Sequence, residues 1–578
     1  MLALIILCIL LTWLLYATIC IGTGALLLRG LRLRFSALDA LWTGMAVITA
    51  ILQLYHFLRP IDLVALYLLV ALSVAGLIWN RRSLLHNEVE EKKSHSAEVL
   101  LCSTAAAIIA FRAAGPCFHY DTGLYGAQAV RWFITYPLVP GLGNLLGQLG
   151  FNSSVFLWIA ALDQGPWRDL AHHLFAGFLI AVLVTSIIPA ALRIFRAESI
   201  SPIDWFFTWL FVPAMIWGTT AKIVGTNTDL PTSVICLVAA ATLFRGLGGG
   251  ASIRETSASD TRSINLLVAM VLFSLAVTFK ISSLVFALMG WMVAISKMWM
   301  VSRNSPSEKR RLMWAVVLSA VLVLPWIVRG VMLTGYPFFP STAFSIPVDW
   351  RVPAFETQMQ ADFARSFARI PDLTYDYAHG WNWLGPWFRE LLKEREGFLI
   401  PLSFALAGGL AGIVRMMRGI RNSLPQWLWL LVPTLGGLIF WFLEAPAIRF
   451  GEPVLWTVGA TLGTLAAVQF LDRPWRIRMA LAALLLLTAW AAHPRLFWNS
   501  YLRPSVDVRT FLRLPVTNLT TRKSISGLQV NMPTETNQCW DAPLPCSPYF
   551  RETLHLRRPG RLEFGLASDA SEALVRWK

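Results

Sequence analysis

Leu4-Ile5-Ile6-Leu7-Cys8-Ile9-Leu10-Leu11-Thr12-Trp13-Leu14-Leu15 is the centre of an apolar run from Leu2 to Leu28 that carries no charge. Roughly twenty such residues, wound as a helix, cross the ~30 Å hydrocarbon core of a bilayer. No lysine or arginine precedes the run, and Arg29, Arg32 and Arg34 follow it. It therefore reads as a retained first membrane span, not a cleaved signal peptide. Working outward, similar runs recur near Ser36–Phe57, Leu63–Trp79, Ala97–Ala113, Ala171–Leu192, Pro202–Thr219 and Leu230–Phe244. They continue near Asn265–Phe279, Ser282–Met300, Leu312–Leu333, Phe398–Val414, Pro425–Leu443, Pro453–Leu471 and Met479–Ala492. The pattern predicts an all-α polytopic membrane protein with about fourteen transmembrane helices over residues 1–493.

Composition agrees. The 578 residues are 56% hydrophobic and only 14% charged, with a mean hydropathy of +0.58. The net charge of +16 could point to nucleic acid or to an anionic membrane surface. The basic residues instead recur in every second loop: Arg29/Arg32/Arg34, Arg81/Arg82/Lys92/Lys93, Arg193/Arg196, Arg254/Arg262, Arg303/Lys309/Arg310/Arg311, Arg415/Arg418/Arg421 and Arg473/Arg476/Arg478. That alternation marks a cytoplasmic side and argues against a nucleic-acid partner. Both termini and the loops 115–164 and 334–396 are then expected outside. The stretch Leu247–Asn265, with Gly248-Gly249-Gly250, lacks the context of a phosphate loop and reads as a linker.

The outer side carries the chemistry. Asp121 lies in Phe118-His119-Tyr120-Asp121-Thr122-Gly123-Leu124-Tyr125, just after a span. A carboxylate there is costly unless solvated, paired or used, which makes it a functional-site hypothesis. The spacing of Leu124, Ala127, Val130, Phe133 and Ile134, with Gln128 and Arg131 opposite, suits an amphipathic interfacial helix over Thr122–Tyr136. Thr122 could cap that helix with Asp121 beside its positive end, so a catalytic Asp121 and a merely capping Asp121 both stay open. Asp229, before Pro231, could likewise be a simple helix cap. Lys222, Lys280, Arg329 and Arg449 are cations on the side where topology requires none. Singly each could snorkel; as a set, with outer carboxylates, they suit a phosphorylated lipid headgroup. No compact His/Asp ligand set is visible, which leaves a divalent metal open as a cofactor without indicating one.

Cys539 and Cys546 bracket two prolines in Gln538-Cys539-Trp540-Asp541-Ala542-Pro543-Leu544-Pro545-Cys546, and a disulfide between them is expected on an oxidising side. Cys8, Cys20, Cys102 and Cys236 fall in spans, and Cys117 is an odd outer thiol. Residues 494–578 are expected to form a small extracytoplasmic module with β-structure, stapled by that disulfide.

This layout resembles the GT-C superfamily of multi-pass glycosyltransferases, which use polyprenyl-phosphate-linked sugars at the outer membrane face. Asp121 matches the acid of its first large outer loop, and Thr122–Tyr136 the interfacial helix that follows. Arg329–Ser341 and Pro446–Gly451 look like its proline-, tyrosine- and arginine-containing outer motifs. Here the acid follows the fourth span, whereas GT-C members usually place it after the first. The resemblance implies Asp121 as the base. It implies Lys280, Arg329 and Arg449 as the cations that hold the donor phosphate, and the full candidate substrate-binding set is His119, Tyr120, Arg131, Lys222, Asp229, Lys280, Arg329, Tyr336 and Arg449. The expected partners are a polyprenyl-phosphate-linked sugar, a glycan, lipid or protein acceptor, and membrane lipids. The segments Tyr120–Tyr125, Pro140-Gly141-Leu142-Gly143-Asn144, Phe151-Asn152-Ser153-Ser154 and Gln538–Cys546 also look like those of a poorly characterised bacterial membrane-protein family. A bacterial cytoplasmic membrane is the expected location. Two rivals stay open: an O-antigen-type polymerase or ligase, and a non-enzymatic flippase or transporter. A transporter is expected to show inverted repeats and charges near the bilayer midplane. No internal repeat is evident here, and the charges cluster at helix ends.

Overall fold

A computed structural model describes residues 1–89, 96–250, 258–303, 305–371, 375–418, 424–471, 473–497 and 512–569. Lys92, Lys93, Arg254 and Arg421 of the basic loops lie outside the described residues. The chain is mostly helical, and among the described residues twelve helices are long and apolar enough to cross a membrane. They are α1 (Leu2–Gly30), α2 (Ala37–Leu58), α3 (Leu63–Arg81), α4 (Ser96–Ala113), α5 (Ala171–Phe195) and α6 (Asp229–Gly249). The others are α7 (Thr261–Phe279), α8 (Ile281–Ser302), α9 (Pro306–Thr334), α10 (Arg395–Met417), α11 (Gln426–Glu444) and α12 (Ile448–Phe470). Leu4, Leu7, Leu11 and Leu14 of α1 stand exposed on its outer flank, as a lipid-facing helix requires. This is a multi-pass membrane protein.

With lipid outside, helices associate through close packing of small residues. A Cβ at Gly24 of α1 would lie 1.8 Å from the Ala40 carbonyl of α2, and one at Gly44 1.8 Å from that of Cys20. The two backbones thus touch. Burial ranks the spans: α6 and α7 are each 94% buried along their apolar windows, against 28% for α1, α3 and α4. These two helices form the centre of the bundle.

Two of the expected spans differ. Pro202–Thr219 is broken into helices Pro202–Trp209 and Phe211–Thr219. Pro213 has no N–H to bond the Trp209 carbonyl, and its ring crowds that oxygen, so the helix parts at Leu210. The stretch Met479–Ala492 lies in the helix Pro474–Phe497, which is not among the twelve.

The expected interfacial helix also differs. It begins as a π-helical turn, Thr122–Gly126, and continues as an α-helix, Ala127–Thr135. Every residue from Thr122 to Val130 is buried: Tyr125 packs on Phe151 and Phe156 and Gly126 on Thr226, while the C-terminal module covers Gly123 and Gln128. In that module β1 (Leu519–Lys523) pairs antiparallel with β2 (Gln529–Pro533), and β3 (Leu554–Leu556) with β4 (Leu566–Ser568). A Cys539–Cys546 disulfide closes the segment between the two hairpins. The Leu566 N–H donates to the Pro140 carbonyl at 3.0 Å, and Arg557 grips Asp349 through Nε and Nη2.

Candidate functional site

Asp229 opens α6 in its first turn, and Lys280 is the hinge residue between α7 and α8. The Asp229 N–H donates to Asn227 Oδ1 at 2.7 Å. Asn227 thus serves that backbone group and leaves the Asp229 carboxylate free to take a cation. That cation is Lys280, whose ammonium forms an ion pair with Asp229 Oδ1. Arg449, in the first turn of α12, comes between two acids. Its Nη1 is 3.5 Å from Asp121 Oδ2, and its Nε 4.0 Å from Asp229 Oδ2. The Phe450 ring lies beneath both cations, 4.1 Å from Lys280 Nζ and 4.8 Å from the Arg449 guanidinium carbon. Two acids and two bases from four separate segments thus make a charge-balanced tetrad above the two central helices.

The tetrad is mechanically tied. The Thr226 N–H donates to Thr122 Oγ1 at 3.0 Å, clasping the loop of Asp229 to that of Asp121. Gly126 permits the approach, since a Cβ there would lie 1.9 Å from Thr226 Oγ1. Thr122 therefore does not cap its own helix. Asp121 makes no capping bond either; its partner is Arg449. A narrow cleft leads from Asp229, Lys280 and Arg449 past Ser282 and Ser283 toward Phe286, with room for one water molecule, about 10 Å³.

His119 and Tyr125 flank the acids. Burial pushes the His119 imidazole below its ordinary value, against the pull of Asp121 and Asp229, and its Nδ1 is buried without a hydrogen-bond partner. Burial, reinforced by Asp121 and Asp229, holds the Tyr125 phenol well above its ordinary value and hence protonated. Lys222 is exposed and acts on His119 electrostatically. Glu452 joins these residues from α12, unexpected from the sequence. Trp217 Nε1 donates to its Oε2 at 3.1 Å, and it lies within electrostatic reach of Lys222 and Asp229. The signal was available: an acid inside an apolar helix, three residues after Arg449 and so on the same face.

Other predicted residues lie elsewhere. Arg329 is fully buried. It lies five residues before the end of α9, roughly 7–8 Å below that helix end at 1.5 Å per residue. Its Nη1 bonds His56 Nδ1 at 2.8 Å, and its guanidinium lies 5.2 Å above the Phe133 ring. Its Nε and Nη2 have no hydrogen-bond partner. Arg329 therefore does not join the other cations. Tyr336 is buried, with its hydroxyl donating to the Val352 carbonyl at 3.1 Å. Arg131 binds Asp541 of the module at 2.7 Å, so it holds protein, not ligand. Tyr120 is half exposed beside Asp121. Among the described residues no group of three His, Cys, Asp or Glu side chains is placed to hold a metal ion.

No curated protein matches the chain. A family model does, and its match contains all four tetrad residues but ends before the C-terminal module: over residues 6–456 the chain belongs to the family described as a domain of unknown function, DUF8201.

Proposed function

We propose that this protein is a membrane glycosyltransferase of the GT-C type. It moves a sugar from a polyprenyl-phosphate donor to an acceptor at the outer face of a bacterial cytoplasmic membrane. In this reading the chain crosses about fourteen times, with both termini outside and the basic loops inside. One observation carries the reading: Asp121, Asp229, Lys280 and Arg449 converge at the ends of the central helices, where a headgroup would lie.

The chemistry follows from the charges. The donor phosphate takes the two cations, and Arg449 exchanges its long carboxylate contacts for phosphate oxygens. Losing Arg449 leaves the Asp121 carboxylate free to accept the proton of an acceptor hydroxyl. The hydroxyl oxygen bonds to the anomeric carbon as the carbon–phosphate oxygen bond breaks. The electron pair stays on the phosphate, where Lys280 and Arg449 balance the new charge. His119, with its buried unpartnered Nδ1, and the half-exposed Tyr120 stand beside Asp121 to meet the sugar.

The test uses purified protein in vesicles with a radiolabelled polyprenyl-phosphate sugar. Label moving onto an acceptor supports the reading. Labelled lipid crossing the bilayer with its sugar bond intact replaces it with a flippase.

A further inference from the structure

The turn after Asp121 is π-helical, and its bonding explains why. In a continuous α-helix the Ala127 N–H would bond the Gly123 carbonyl, four residues back. Here it bonds the Thr122 carbonyl, five back. The Gly123 carbonyl is left over, and it accepts instead from the Trp540 N–H at 2.9 Å. Trp540 belongs to the loop closed by the Cys539–Cys546 disulfide. The same loop sends Gln538 Nε2 to the Tyr120 carbonyl at 3.1 Å, while Gln128 Nε2 donates back to the carbonyls of Trp540 and Ala542. Gly123 makes room for it: a Cβ there would lie 2.7 Å from Gln538 Nε2 and 2.7 Å from Trp540 Cε2. Both cysteines are completely buried.

We propose that the disulfide-closed loop Gln538–Cys546 is a positioning latch for Asp121. By bonding the Gly123 carbonyl it holds the helix in its π register. Without it the Ala127 N–H returns to Gly123 and the turn becomes α-helical. One residue of offset is then lost, which turns Asp121 by about 100° around the helix axis. Asp121 leaves Arg449. The C-terminal module, far along the chain, is thus part of the site's geometry, and Gln538 and Trp540 are positioning residues. Only the catalytic consequence rests on the glycosyl-transfer reading.

The test reads geometry first. Cysteines replace Asp121 and Arg449, and a short thiol-to-thiol cross-linker measures their proximity. The rate is compared with the latch closed and with Cys539→Ser/Cys546→Ser. Gly123→Ala, which keeps the disulfide but crowds the loop out, is the second latch-breaking variant. Cross-linking at least tenfold slower in either folded latch-broken protein is expected. Equal rates overturn the latch. In the otherwise native protein, Gly123→Ala is expected to lower kcat at least tenfold with donor KM unchanged, and Gln538→Ala to lower it less, with Gln538→Lys restoring a donor and part of the rate. A Gly123→Ala enzyme with native kcat overturns the positioning role. An absence of transfer by the native protein would refute the glycosyltransferase reading alone, because the cross-linking comparison needs no turnover.

Discussion

Two arginines stand near the same end of the bundle, and they could hardly be placed more differently. Arg449 is partly exposed, shared between Asp121 and Asp229, and opens onto a cleft. Arg329 is sealed, with an imidazole and an aromatic ring for neighbours. The contrast separates a cation that stays accessible at a helix end from one absorbed by packing. A few residues of depth along a helix are enough to decide which. A charged group at the helix mouth can trade a carboxylate for a phosphate, whereas one below it has to settle its charge inside the protein.

The comparison breaks most visibly if the two arginines behave alike on removal. Arg449→Met is expected to lower transfer by about 10²–10³-fold, the cost of removing one preorganised charge from a transition state. Its stability should change by less than about 1 kcal/mol, because its ion-pair contacts are long and solvent-screened. Steady-state rates and thermal unfolding of the purified variant check both. Lys280→Met comes next. It leaves the poorly exposed Asp229 carboxylate without its nearest cation and should destabilise by about 2–3 kcal/mol. Adding Asp229→Asn should recover most of that, and strict additivity of the two changes in unfolding measurements would contradict the pairing.

Arg329→Met is expected to be nearly silent, within about 1 kcal/mol in unfolding and with transfer retained. A thioether packs against Phe133 without leaving guanidinium nitrogens unpartnered. A large rate loss would return Arg329 to the site. The smallest effect is that of pH. Because burial lowers the His119 pKa in the folded protein, its neutral form contributes stability above the unfolded value of about 6.5. That contribution is lost as pH falls below it. Unfolding of His119→Gln across this range should show a shallower acid decline than the native protein.

Much of this was legible in the chain. Hydropathy marks the spans because bilayer thickness imposes length and apolarity on each one. The cysteine spacing pointed to the bridge between residues 539 and 546 that the structure contains. Asp121, Lys280 and Arg449 were visible as charges at the ends of apolar runs. Their grouping was expected, but the Asp229–Lys280 pair at its centre was not legible, since the two lie in different loops and only packing of α6 against α7 brings them together. The place of Arg329 is hidden for the same reason: its position along the chain reveals a helix end, but not its depth. The break at Leu210 was written in Pro213, beneath an apolar composition that a span would also have. The π register was illegible, because it depends on a bond from Trp540, hundreds of residues away.

Asp121 is the centre of the proposed mechanism. The decisive measurement is the rate at which purified Asp121→Asn transfers sugar from a polyprenyl-phosphate donor, alongside its donor affinity. The asparagine preserves shape but cannot take a proton, so a loss of about 10²–10⁴-fold in rate with donor binding retained is predicted. Transfer at the native rate would contradict the account and leave Asp121 only as the partner of Arg449.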